Sequence, residues 1–166
     1  MIMTTALICL ALNVYHEARD QSTAGQIAVA QVVINRVNDD RYPNDICEVV
    51  QQGPVNKSTG FPVRHKCQFS WYCDGQSDAT PNSESLSKAL VVASTVLDGK
   101  TIDIVDGATH YHAVYVSPSW TRTKVKTVRI DKHIFYRWEG EEIFEPYFPP
   151  PLPRPEILSK GKVLHE

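Results

Sequence analysis

Ile27-Ala28-Val29-Ala30-Gln31-Val32-Val33-Ile34 sets the architecture of this chain. The run is apolar nearly all round a helical wheel, and a helix of that kind is buried centrally, not laid on a surface. Its flanks predict a helix from near Thr23 to about Asn38. Gln31 and Asn35, one turn apart, are its polar exceptions: hydrogen-bonded core amides, the favoured reading, or part of a site.

Upstream, Thr4 or Thr5 caps a helix running to about Arg19. Ala6, Leu10, Asn13 and Glu17 share one face of it, and Leu7, Ala11 and Val14 widen the apolar stripe. Asp20-Gln21-Ser22 breaks the helix. Downstream, Tyr42-Pro43-Asn44 is a turn and Asp45 to Gln52 a short helix capped by Asn44 or Asp45. Gly53 to Pro62 reads as loop and Gln68 to Tyr72 as a short strand. Asn82 or Ser83 caps a further long helix, Glu84 to about Leu97, which Asp98-Gly99 stops. After Gly99 the pattern changes to β-branched and aromatic runs at Ala108 to Val116, Val125 to Ile130 and His133 to Trp138, with Asp131-Lys132 as a hairpin turn. Helices first and a small antiparallel sheet after them make an α+β domain over 1–140. A Pro-rich tail follows over 141–166, where Glu145 to Pro155 holds six of the 11 prolines.

The 166 residues make one ordinary domain, and 42% hydrophobic with 22% charged residues excludes wholesale disorder. Seventeen basic against 19 acidic residues leave a net charge of −2, not the basic field of a nucleic-acid binder. The one basic cluster, Arg122, Lys124, Lys126, Arg129 and Lys132, alternates like the solvated face of a strand. No run spans a bilayer, so no membrane partner is expected. The opening MIMTTALICLAL lacks a basic start and a small-residue cleavage site, and reads as mature protein without a secretion signal. Four cysteines allow three pairings. Cys9 reads as a plain core residue, while Cys67 and Cys73, six apart, are placed to bridge if oxidised.

Glu17 is the first candidate for chemistry. A carboxylate on the apolar face of a helix is expensive to bury ionised, and such surroundings raise its pKa toward that of a general acid. The plain alternative is a salt bridge to Arg19 or a distant arginine. His16-Glu17 fails the His-Glu-x-x-His zinc pattern because position 20 is Asp. His110 and His112 alternate onto one strand face and, with His133, make a conceivable metal set; hydrogen-bonded pocket or core histidines are the simpler reading. No cofactor fingerprint is present. Aromatics interleave with polar residues at Gln68-Phe69-Ser70-Trp71-Tyr72 and Thr109-His110-Tyr111-His112, and Trp120 falls in a loop. Such surfaces suit sugar rings, although alternation must send half of these side chains inward.

Several blocks together resemble one family. Leu12-Asn13-Val14-Tyr15-His16-Glu17-Ala18-Arg19, Gly25 through Val37, Tyr42-Pro43, Ile46 through Val50, Cys67-Gln68-Phe69-Ser70-Trp71, Cys73-Asp74-Gly75, Gly107 through Ala113 and His133 through Arg137 occur in order. They are similar to the bacterial cell wall hydrolases typified by the spore cortex-lytic enzymes of SleB type. The resemblance spans about Ala6 to Arg137. It implies a lysozyme-like α+β catalytic domain that cleaves peptidoglycan between N-acetylmuramic acid (MurNAc) and N-acetylglucosamine (GlcNAc). It also implies that Glu17 is the acid, in a lytic transglycosylase that leaves 1,6-anhydro-MurNAc ends; separately, no cofactor or metal is expected. One departure stands out: the family usually reads Glu-Ala-Arg-Gly-Glu, and this chain has Asp20-Gln21 in the last two places.

The chemistry agrees with the residue set. Ordinary glycosidases use two flanking carboxylates, and none of Asp20, Asp74 and Asp106 is an obvious partner for Glu17. A lytic transglycosylase manages with one carboxylate that protonates the leaving oxygen and then takes the proton of the C6 hydroxyl. Asn13, Gln68, Ser70, Trp71, Thr109, Tyr111, His112 and Trp120 are the expected substrate-binding residues. The rivals are muramidase hydrolysis, a metal-dependent N-acetylmuramoyl-L-alanine amidase built on His110, His112 and His133, and a non-catalytic peptidoglycan-binding domain. A monomer is expected. Without a secretion signal, a phage endolysin held in the cytoplasm until its release to the wall is one expected role; a piece of a secreted wall enzyme would read the same.

Overall fold

A computed structural model describes residues 2–140; the Pro-rich tail, 141–166, lies outside them. Four helices, α1 (Thr5–Ala18), α2 (Thr23–Val37), α3 (Ile46–Val50) and α4 (Ser83–Leu97), precede three strands, β1 (His110–Ala113), β2 (Val125–Ile130) and β3 (His133–Arg137). Each helix starts where a short polar side chain can accept the first free amide. Thr4 takes Leu7 N–H, Ser22 takes Gly25 N–H, Asp45 takes Glu48 N–H and Asn82 takes Ser85 N–H. Gly99, at φ +66°, lies just beyond the cap residue of α4, where a left-handed residue ends a helix most easily.

α2 is apolar all round because it has two cores to fill. Ala30 and Val33 pack with Leu10, Val14, Val49, Ala89, Val92 and Val96 from α1, α3 and α4. Ala28 and Val32 turn the other way, onto Val105, Ala108 and Phe135 beneath the sheet. Its two amides span the gap between layers as core hydrogen bonders. Gln31 donates to the Ile102 carbonyl (2.6 Å) and accepts from Ile104 N–H (3.0 Å), and Asn35 donates to the Ala108 carbonyl (2.8 Å).

The sheet is antiparallel in the order β1-β3-β2. β3 pairs His110↔Tyr136 through Ala113↔His133 on one side, so β1 is only as long as its partner allows and stops short of the expected Val116. On the other side a register shift between Lys126 and Val128 breaks the alternation of the basic cluster. Lys124 leaves that cluster altogether, with its ammonium 4.7 Å from the Trp138 ring centre.

Two expectations are corrected. Gln68 to Tyr72 is no strand: Ser70–Cys73 forms a 3₁₀ turn, because the Cys67–Cys73 bridge closes the chain on itself over six residues and no strand lies alongside. Cys9 is not a plain core cysteine. It is bonded to Cys47 across a separation of 38 residues, which ties α1 to α3.

Candidate active site

Glu17 sits in the last turn of α1, the negative end of the helix dipole and therefore the costly end for a carboxylate. It reaches a cleft of about 130 Å³ lined by Glu17, Arg36, Gln68, Phe69, Ser70 and Tyr111. A cleft that small is below the ~300 Å³ of a whole small-molecule pocket. Three elements meet there, the end of α1, the end of α2 and β1, and the Cys67–Cys73 loop lines the remaining side.

Tyr111 Oη donates to Glu17 Oε2 at 2.6 Å. Burial raises the Glu17 carboxyl above its ordinary value, while the Tyr111 hydrogen bond and the nearby Arg36 charge pull it back. The same surroundings hold the Tyr111 hydroxyl firmly protonated, burial first and the Glu17 charge second. Among the described residues Glu17 makes no salt bridge, so the plain alternative of a pair with Arg19 fails. Arg19 instead lies over the Tyr15 ring.

Of the residues expected from sequence, Gln68, Ser70 and Tyr111 come together with Glu17 in the cleft. Asn13 and Trp71 stand behind it. Buried Asn13 accepts from Trp71 Nε1 at 2.9 Å, and Trp71 stacks on His16 with ring centres 4.4 Å apart. Thr109 is buried; its carbonyl accepts from Arg36 Nε at 2.7 Å and its hydroxyl lies 2.9 Å from His110 Nδ1.

His112 and Trp120 are not in the cleft. Successive strand residues face opposite sides; Tyr111 therefore turns toward Phe135 and His133, while His110 and His112 turn toward Trp120 and Tyr136. His112 Nε2 lies 3.0 Å from Tyr136 Oη, and its Nδ1 lies 2.8 Å from the Ala113 carbonyl. His110 is pushed down to about 3 by burial and by Arg36, Lys124 and Arg41, which keeps it neutral. The same alternation parts His133 from His110 and His112, so the three histidines do not converge on one metal position.

The other carboxylates are engaged elsewhere. Asp20 pairs with Lys132 (3.2 Å), Asp106 with Arg137 (2.8 Å), and Asp74 accepts from Gln76 N–H (2.7 Å). The Asp20-Gln21 departure is thus a docking device. Gln21 accepts from Lys132 N–H and Ser22 donates to Asp131, which fastens the α1–α2 turn to the β2–β3 turn. Arg36 and Phe69 were not singled out from sequence. The available signal was an arginine one turn beyond the apolar Val32-Val33, on a side of α2 that has to be buried.

The chain is similar to proteins of known family. The cell wall hydrolase family model matches residues 20–136. The match opens three residues after Glu17, so the case for Glu17 stands on its place in the cleft. The spore cortex-lytic enzyme of Halalkalibacterium halodurans is 34% identical over 129 residues, covering 76% of this chain and 33% of that protein. The spore cortex-lytic enzyme of Bacillus cereus is also 34% identical over 129 residues, covering 76% and 42%. The chain thus spans a third to two fifths of the length of these relatives. Among solved structures, the catalytic domain of the germination-specific lytic transglycosylase SleB from Bacillus anthracis superposes with a TM-score of 0.59 at 26% identity, over 82% of this chain and 97% of that one. The catalytic domain of the Bacillus cereus SleB protein gives 0.56 at 27%, over 82% and 93%. The α+β arrangement expected from sequence is therefore the lysozyme-like fold of those domains.

Proposed function

The chain belongs to the cell wall hydrolase family, and from that premise we propose that it is a lytic transglycosylase that cuts the MurNAc–GlcNAc bond of peptidoglycan with Glu17 as its acid and base. One observation carries the reading. Among the described residues lining the cleft, Glu17 is the sole carboxylate, and it is half-buried with a hydroxyl donor on it. A hydrolase of the two-carboxylate type needs a partner at ~5–5.5 Å or ~6.5–9.5 Å across the bond, and Asp20, Asp74 and Asp106 are bound up elsewhere.

The raised Glu17 carboxyl enters the reaction protonated and gives its proton to the glycosidic oxygen as the C1–O bond breaks. GlcNAc leaves as an alcohol. The Glu17 carboxylate then accepts the proton of the MurNAc C6 hydroxyl, whose oxygen closes on C1. The 1,6-anhydro ring forms, Glu17 is again protonated, and no water is consumed. Tyr111 holds the carboxylate in place through both halves. Gln68 and Ser70, across the cleft, supply hydrogen bonds to sugar hydroxyl or acetamido groups. The pairing of all four cysteines supports work outside a reducing cytoplasm, in keeping with an enzyme released to the wall.

Mass spectrometry of fragments released from purified peptidoglycan tests this. Anhydro-MurNAc ends, lost in Glu17→Gln with the fold intact, are expected. Reducing MurNAc ends would replace the transglycosylase by a muramidase. Free stem peptides with intact glycan strands would overturn glycosidic cleavage altogether.

A further inference from the structure

Arg36 is only 5% exposed, and a guanidinium carries five N–H donors. One of the five finds a protein acceptor, Nε–H on the Thr109 carbonyl. Among the described residues Nη1 is buried with no hydrogen-bond partner. Among the described residues no carboxylate stands within ion-pairing distance of the group. The rings of Tyr42 and Phe69, centred 5.2 and 5.1 Å from Cζ, fix its plane without using its donors. A buried ion left without a partner costs several kcal/mol. The α2 residues one turn before it, Val32 and Val33, are apolar and buried, so packing alone gives no reason for a charge here. The reason lies in the cleft that Arg36 shares with Glu17.

The groups around Glu17 are few. On α1, His16 turns away to Trp71 and to the Asp78 carbonyl, and Arg19 is exposed over Tyr15. β1 presents the Tyr111 hydroxyl, and behind it His133 rests on the Tyr111 ring. The Cys67–Cys73 loop presents Gln68, Phe69 and Ser70, none of which titrates near neutrality. Among the described residues lining the cleft, Arg36 is thus the one full charge beside Glu17. A direct salt bridge would keep Glu17 ionised and spoil it as an acid. A cation in the same cleft but beyond ion-pairing reach favours the carboxylate without locking it.

We propose that Arg36 is a positioning residue acting through Glu17: the fixed counter-charge that sustains the Glu17 carboxylate between loss of its proton to the leaving sugar and capture of the C6 proton. The proposal rests on the acid-then-base reading of Glu17 above. The Coulombic pull of Arg36 against the burial that raises Glu17 agrees with it.

The test is the pH profile of peptidoglycan solubilisation for the wild type, Arg36→Gln, Arg36→Lys and a protein carrying citrulline, the neutral isostere, at position 36. Circular dichroism establishes that each is folded. Wild-type activity should fall on the alkaline side, where Glu17 loses its proton before it can act. With the cation gone, the carboxylate is harder to form. Arg36→Gln should therefore move that alkaline limb up by roughly half a pH unit or more and lower the peak rate on the order of tenfold. The citrulline protein should do the same, and it decides the matter if Arg36→Gln fails to fold. Arg36→Lys, which keeps the charge, should restore the limb. A folded neutral variant whose limb coincides with the wild type overturns the proposal, as does Arg36→Lys shifting as far as Arg36→Gln. A Glu17→Gln enzyme that remains active would instead overturn the acid–base reading beneath it.

Discussion

Replacing both Cys9 and Cys47 by alanine should cost this domain about 4 kcal/mol. The bridge closes a loop of 38 residues, and the chain-entropy relation converts that length into about 4 kcal/mol of lost denatured-state constraint at room temperature. The Cys67–Cys73 bridge closes six residues and is worth only about 2 kcal/mol by the same relation. Cys9 is also a member of the core, so losing its sulfur adds to the effect. For a chain of this size 1 kcal/mol moves the midpoint by roughly 2–4 °C, which puts the expected fall at roughly 8–16 °C. Thermal and urea unfolding followed by circular dichroism read both numbers. The urea m-value should rise as well, because the uncrosslinked denatured chain exposes more surface. A midpoint that drops by less than about 3 °C with an unchanged m-value would refute the reasoning.

Tyr111→Phe removes the 2.6 Å hydrogen bond to Glu17 and leaves the ring in place. A hydrogen bond to a charged group is worth ~1.5–3 kcal/mol, so the rate of peptidoglycan solubilisation should fall roughly 10- to 100-fold with the melting temperature little changed. Glu17→Gln should stabilise the protein at neutral pH. The Glu17 carboxyl is raised in the folded state, so the native form holds its proton longer than the unfolded chain. Wild-type stability is accordingly lost as pH climbs from the ordinary glutamate value through the raised one. Urea titrations of the two proteins should agree below that window and diverge above it, with Glu17→Gln the more stable; the opposite order would show that Glu17 is not raised. Gly25→Ala should destabilise by ~1–3 kcal/mol, because a Cβ there would sit 2.5 Å from Asp131 Oδ2 and 2.9 Å from Gln21 Cβ, at the joint between the α1–α2 turn and the β2–β3 turn. A urea midpoint equal to the wild type would show that the joint gives way freely.

The caps of α1, α3 and α4 to within one residue, the burial of α2 on all sides, the amides Gln31 and Asn35 as core bonds, and Glu17 as the residue to watch were legible in the sequence; the Ser22 cap of α2 was not. These are local properties. A cap is satisfied within three residues of itself, and a helical stripe is read from spacing alone. Tyr111, Gln68 and Ser70 were expected at the site as parts of blocks, without sight of what they would touch.

The tertiary structure decided the rest. It joined Cys9 to Cys47, because that pairing depends on where α3 lies against α1, and along the chain Cys9 shows only its apolar neighbours. It turned the Gln68–Tyr72 segment from a strand into a 3₁₀ loop, because a strand requires a neighbour and among the described residues that segment has none. It sent His112 and Trp120 to one side of the sheet and Tyr111 to the other, since only the layer packed against α2 says which side faces Glu17. Above all it put Arg36 of α2 in the same cleft as Glu17 of α1. Spacing along a chain records which side chains share a face; the charges that face one another across a cleft are set by how the helices pack.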